Sequence, residues 1–362
     1  MIAGRDYLVP VSFDPERDRD AWLADRLLGH GGSDVAKILG EHPSKGPIDV
    51  WMAHTTGVSD DDAADNERSR AGRWFEPQVL RWFAAAGEDW PRGGGPWRIA
   101  KPPTVWHRDR PWQRGSADGL IYYPEVVAHV SEGVDLLRTT TAPSALLEIK
   151  THGWFGSKGY RLDDEDQPLI SVPPDKRIQV AWYMELYDCD VAYLAALADT
   201  HLKRTFIIPR DHQLGAMLLE EVEQFRKRYI LTGEAPPPDG KPSYGEYLKK
   251  RFKSHGAELV DSTDAVDIAT EALLAIKRDQ KRLKGEAELA EQTIKRCIGE
   301  NVGVRTASGV VTWKSQPSGK LREKEARAEL YQVAGWTDLE IAAFEAKYAQ
   351  PGHRVLRMPS TK

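Results

Sequence analysis

The sequence predicts an α/β fold, a central mixed sheet flanked by helices, followed by a C-terminal helical and β-hairpin extension. Strand-like apolar runs at 145–152 (ALLEIKTH), 191–198 (VAYLAALA) and 205–209 (TFIIP) alternate with helical periodicity at 175–187 and about 212–231. A proline run at 236–238 closes that region, and a long polar helix follows over roughly 262–298. These features divide the chain into residues 1–240 and an extension, 241–362.

Residues Arg19–Leu27 read as a short helix, Gly29–Gly32 as a turn, and Ser33 as the cap of a helix through Val35, Ile38 and Leu39. The stretch VSDDDAADN (58–66) is an acidic, solvated loop. Helical spacing returns from Gly72 to Ala86, and Pro77 sets the start of the regular helix close to Glu76. Strands are expected near Trp97–Ala100 and Thr104–His107, and SADGLIYY (116–123) turns into another. The link 123–144 is long enough for an extended hairpin or loop. In the extension, Leu273, Ile276, Leu283, Ala290, Ile294 and Ile298 share one stripe of the long helix. GVRTASGVVTWK (303–314) reads as a hairpin, and a helix over about 322–347 precedes a basic tail.

Composition removes several classes of function. With 362 residues and 41% apolar content, the chain can build a sizeable core. No uncharged apolar run is long enough to span a bilayer, and the charged N-terminus is no secretory signal, so a cytoplasmic location is expected. Only Cys189 and Cys297 are present, too few for a disulfide framework, a four-cysteine zinc site or an iron–sulfur cluster. A metal would therefore be held mainly by oxygen, which favours Mg2+ or Mn2+. The net charge of −5 gives no overall signature of nucleic-acid binding, although a local basic groove is compatible with it.

The chemistry concentrates in Asp118 of SADG and in Glu148 and Lys150 of LLEIKT. Residues two apart on a strand share a face, and a buried strand normally excludes charge. Two carboxylates with the intervening backbone carbonyl of Ile149 suit a hard divalent cation, and Lys150 beside them can hold or deprotonate a water. Taken alone, Glu148 and Lys150 are equally a salt bridge at a strand end. Four further residues occur in order around them: Arg26, Ser33 in GGSDVAKILG, Glu76 after GRWF, and Gln179 in RIQVAWYM. Each has an ordinary reading as well: a surface charge, a cap, a helix-terminal acid and a solvent-facing amide. The segment WHRDRPWQRGS (106–116) mixes rings with arginines, as a DNA path or as a strand connection with packed tryptophans.

As an ordered set, AWLADRLLGHGGSDVAKILG, AGRWFEPQVL, GSADGL, LLEIKT and RIQVAWYM resemble the lambda-exonuclease/YqaJ family of PD-(D/E)xK nucleases over about residues 20–230. The resemblance implies a restriction-endonuclease-like core that binds Mg2+, with Mn2+ as a substitute, through Asp118, Glu148 and the Ile149 carbonyl. Glu76 would reach a second metal through water, Lys150 would orient and activate the attacking water, and Gln179 would position either. Arg26 and Ser33 would hold the 5′-phosphate of a DNA end. The implied activity is exonucleolytic digestion of linear duplex DNA, 5′ to 3′, by a trimeric ring that passes single strands to an annealing protein. The alternatives are an endonuclease on the same core and a catalytically silent DNA-end-binding accessory protein.

Overall fold

The apolar alternation becomes an ordered series of elements in the computed structural model. It describes residues 2, 4–13, 17–57, 67–85, 98–130, 134–139, 142–152, 172–198, 202–314 and 323–348. The acidic loop expected at 58–66 and the basic tail lie outside them. Strand β1 (Leu8–Pro10) precedes helices α1 (Arg19–Arg26), α2 (Gly32–Ile38), α3 (Pro47–Thr56) and α4 (Glu67–Ala85). Strands β2 (Arg98–Ala100), β3 (Val105–His107), β4 (Arg110–Gly115), β5 (Gly119–Tyr122), β6 (Pro124–Val130), β7 (Val134–Thr139) and β8 (Ala145–His152) follow. Helix α5 (Pro174–Tyr187), strands β9 (Val191–Ala198) and β10 (Leu202–Pro209), helix α6 (His212–Phe225) with a π-turn at Arg226–Ile230, and α7 (Pro242–Arg251) come next. The rest is α8 (Asp264–Ile298), β11 (Gly303–Thr306), β12 (Gly309–Thr312), α9 (Glu323–Val333) and α10 (Asp338–Tyr348).

Chain contacts separate two units, Met1–Lys250 and Arg251–Lys362. The first is built on a mixed five-stranded sheet of order β10-β9-β8-β5-β2. Its β8–β9 pair is parallel, and its β2–β5, β5–β8 and β9–β10 pairs are antiparallel. A parallel pair needs a long crossover, and α5 lies in the connection between β8 and β9. Leu146, Leu194 and Ala196 pack with Val180, Met184 and Tyr187 of α5 on one face. Leu147, Ile149 and Ala195 pack with Val79 and Phe83 of α4 on the other. This period of two sends Glu148 and Lys150 toward the α5 face, away from their apolar neighbours. A second sheet, β1-β3-β4, carries the 106–116 segment as a hairpin. Residues 123–144 contain the β6–β7 hairpin.

Two local expectations are corrected. Helix α4 does not begin near Glu76: it starts at Glu67 and runs through Pro77. An interior proline removes one backbone hydrogen bond and costs on the order of 3 kcal/mol. Fully burying Val79 and Phe83, at roughly 1.5–3 kcal/mol each, offsets that while the proline itself stays exposed. Nor is Ser33 the cap of α2. Gly31 holds that position in extended conformation, and its N–H donates to Asp34 Oδ2 at 3.2 Å. An acid three residues past the cap takes up the cap N–H, one half of a capping box, since glycine has no side chain to supply the other; Ser33 lies inside the first turn.

In the second unit, β11 and β12 form the expected hairpin. Tyr331 stacks on Trp336 at 5.5 Å between ring centroids, with Phe344 edge-on to Trp336 at 5.1 Å.

Candidate active site at the sheet edge

The β5–β8 ladder ends at the Gly119–Leu147 pair. Just beyond it, the Ile149 N–H donates to Asp118 Oδ2 at 2.7 Å, so a side chain takes up a strand amide where the ladder stops. Glu148 is 1% exposed, and its Oε1 accepts from Lys150 Nζ at 2.5 Å and from Gln179 Nε2 at 2.8 Å. Its other oxygen, Oε2, is buried without a hydrogen-bond partner among the described residues. Asp118, Glu148, Lys150 and Gln179 therefore form one cluster, with strands supplying the charges and α5 the amide.

Burial raises the Asp118 carboxyl well above the usual carboxylate range; Glu148 and Glu76 add to the rise, against Lys150 and the Ile149 N–H. For Lys150, burial acts to lower the pKa, but Glu148 and Asp118 outweigh it and the amine is held protonated. In this arrangement Lys150 is a hydrogen-bond donor and not a base. Burial, reinforced by Glu148, also keeps the Tyr183 phenol neutral. Glu76 reaches the cluster from α4 through its field on Asp118, and its carboxylate pairs with Lys101.

Arg26 and Ser33 meet at a cavity of about 200 Å³, also lined by Trp22, Arg114, Ser116 and Tyr183. The Arg26 guanidinium lies over the Trp22 ring, 4.9 Å from its centroid. Tyr183 joins this cavity to the carboxylates, because it interacts with Gln179, Glu148 and Asp118. A second cavity, of about 190 Å³, opens on the other side of Ser33, between Lys37, Lys45, Lys176 and Gln179.

The close approach of α2 to α5 depends on Gly32. A Cβ there would lie 2.8 Å from Gln179 Cγ and 3.0 Å from its carbonyl oxygen. Glycine at this position lets Ser33 and Gln179 share a cavity wall.

Sequence reading missed three participants. Tyr183 follows Gln179 by one helical turn, a spacing that was available. Ser116 stands two residues before Asp118. Lys101 carried no signal, because Glu76, its ion-pair partner, comes from a distant segment. The 106–116 segment combines both readings: Trp112 packs 6.1 Å from Trp182, while Arg114 lines the cavity.

No group of three His, Cys, Asp or Glu side chains is gathered as a metal cage among the described residues. The donor set is instead two carboxylates and a main-chain carbonyl. It fits a hard cation on two counts: an orphaned buried oxygen of Glu148, and an Asp118 carboxyl crowded by other carboxylates, both relieved by positive charge.

Residues 21–190 match the YqaJ-like viral recombinase domain. Through that segment, the chain is similar to the YqaJ-like viral recombinases. It is 26% identical over 324 residues to the protein YqaJ of Bacillus subtilis (strain 168), covering 88% of this chain and 90% of that protein. Among solved structures it is similar to the alkaline exonuclease LHK-Exo of Laribacter hongkongensis in complex with dAMP. That match has 18% identity, 64% coverage of this chain, 97% of the other and a TM-score of 0.42. A phage-related exonuclease of Haemophilus somnus 129PT matches at 17% identity, 57% and 95% coverage, and a TM-score of 0.37. No helix among the described residues is long and apolar enough to cross a membrane.

Proposed function

We propose that this protein is a Mg2+-dependent exonuclease that digests linear duplex DNA from its ends, 5′ to 3′, and leaves single strands for recombination. The observation that carries this reading is the sharing of Tyr183 between the carboxylate cluster and the cavity of Arg26 and Ser33. A cation-lined recess beside a hydrolytic centre suits a terminal phosphate next to the bond to be cut.

Asp118, Glu148 and the Ile149 carbonyl would hold the Mg2+, or Mn2+ in its place. Such an ion supplies Lewis-acid polarisation of the phosphodiester and a lowered pKa for water. Glu76, tied to Lys101, is placed to add negative charge near Asp118, and any role toward a second ion is through water. The Lys150 ammonium donates to the attacking water or to a phosphoryl oxygen and stabilises charge as it develops. Gln179 fixes the Glu148 carboxylate and through it Lys150. Arg26 and the Ser33 hydroxyl bind the 5′-phosphate by charge-assisted hydrogen bonds. A homo-oligomeric ring, trimeric as in the resembling family, and a single-strand annealing partner complete the proposal.

The test compares 5′-phosphorylated linear duplex, 5′-hydroxyl linear duplex and closed circular duplex, each with Mg2+ or EDTA. The proposal expects Mg2+-dependent loss of linear DNA alone, faster with the 5′-phosphate. Cutting of the circle would make the protein an endonuclease, and end binding without cutting would make it an accessory protein.

A further inference from the structure

Helix α8 is 35 residues long, about 52 Å at 1.5 Å per residue, and most of it is exposed. Ten of its positions, spaced alternately by three and four, form two largely apolar rows, while Ile268, Leu274 and Leu289 lie outside them. One row is Val266, Leu273, Gln280, Ala287 and Ile294; the other is Ala269, Ile276, Leu283, Ala290 and Cys297. This is a seven-residue repeat sustained from 266 to 297, the pattern of a left-handed coiled coil. Val266, Ile276 and Leu283 are each 54% exposed, so these seam positions are left uncovered by the described residues.

We propose that this seam docks against α8 of a second copy of the chain, parallel and in register. Gln280 is the one polar residue in the two rows. In a parallel pair it meets its own counterpart, and two carboxamides can hydrogen-bond to each other. In an antiparallel pair with full overlap it would face Leu283 and lose that partner.

The flanking charges choose the same direction. A parallel pair sets Asp279 of one helix beside Lys284 of the other. It also brings Glu286 toward Glu291, but each is already tied within its own helix, to Arg282 at 2.8 Å and to Lys295 at 2.7 Å. The antiparallel arrangement would oppose Lys277 to Lys284, a like-charge contact; Asp279 and Glu286, also opposed there, are both tied to Arg282 within their own helix. Every residue in the proposal lies in α8, so it is independent of the nuclease reading; a pair cannot close within a threefold ring, so it joins copies from different rings.

Cys297 supplies the test: it is exposed and on the seam, whereas Cys189 is buried. In the parallel pair, Cys297 meets Cys297 of the other copy; in the antiparallel pair it meets position 266. Full-length protein is oxidised with diamide and the disulfide dimer followed over time. Three variants accompany it: Cys297→Ser with Gln292→Cys, which moves the thiol to the outer face; Val266→Cys; and Ile276→Asp with Leu283→Asp. The expected result is at least tenfold faster cross-linking through Cys297 than through position 292. The double aspartate should lower the Cys297 rate to the outer-face rate, with helix content unchanged by circular dichroism. Equal rates at 297 and 292, no cross-link at 297, or preferential 266–297 cross-links in the Val266→Cys protein would each overturn it.

Discussion

The sheet edge and the cavity beside it are both lined with charge, but the charges are held in different ways. Glu148 and Lys150 arise from one strand, are largely buried, and satisfy each other. Arg26 and Ser33 come from a short helix and the first turn of the next, and they line an open recess with β4 residues. At the edge, removing one group leaves another charge buried. In the recess, removing one group leaves room for water. The first arrangement suits groups that take part in every turnover, and the second suits groups that read the end of the substrate.

The sharpest way to break this comparison is Lys150→Ala. If the edge performs the chemistry, digestion of linear duplex should fall by roughly 10²–10³-fold, the range for removing one donor that stabilises developing charge. The same variant should be less stable, because Glu148 loses its ammonium in a buried setting. A thermal melt separates the two effects: a folded protein that digests DNA at the wild-type rate would reduce the cluster to an ordinary strand-end ion pair.

Arg26→Ala probes the other side. A charge-assisted contact to a phosphate is worth about 1.5–3 kcal/mol, or roughly 10–100-fold, and it should be lost only on 5′-phosphorylated ends. Rates on 5′-hydroxyl ends should stay the same. An equal slowing on both kinds of end would place Arg26 in support of the fold, through its field on Asp34, and not in end recognition.

The two regions also differ in how far they could be read from the sequence. Asp118, Glu148 and Lys150 were legible because a strand converts spacing into facing: two residues apart means one side. The sheet, α5 and the long α8 were legible from period alone. The recess was only half legible. Arg26 and Ser33 came from the order of motifs, while Arg114, Ser116 and Tyr183 reach the same cavity from β4, the turn after it and α5. The misplaced start of α4 has a similar origin, since local proline chemistry was overridden by Val79 and Phe83 packing on the far face of the sheet. Ser33 lost the capping role because Asp34, one residue later, has the better reach.

A smaller perturbation joins the two regions. Gly32→Ala would place a methyl group 3.0 Å from the Gln179 carbonyl oxygen, where backbone must move. Overpacking of this kind costs about 1–3 kcal/mol. The variant should show a lowered melting temperature together with slower digestion, since Gln179 holds Glu148. Loss of stability with digestion unchanged would mean that α5 relaxes without disturbing the edge.

The smallest effect concerns a buried group that serves neither region's chemistry. His30 is fully buried, neither ring nitrogen has a hydrogen-bond partner among the described residues, and its ring lies 4.6 Å from that of His54. Burial, helped by His54, pulls its pKa down to about 3, so the folded protein keeps it neutral. The unfolded chain takes up a proton near pH 6.5. Between those values the unfolded state binds more protons, so the stability held above pH 6.5 is lost as the pH falls toward 3. From pH 7.5 to 5.5 this one residue should remove about 1 kcal/mol. His54, His42 and His107 are also depressed by burial, so the quantity to measure is the difference between the wild type and His30→Phe, which keeps a ring against His54. On acidification the urea midpoint of the wild type should fall further than that of the phenylalanine variant, because the variant lacks this contribution. Parallel curves would mean that His30 takes up its proton in the folded protein over the same pH range as in the unfolded chain.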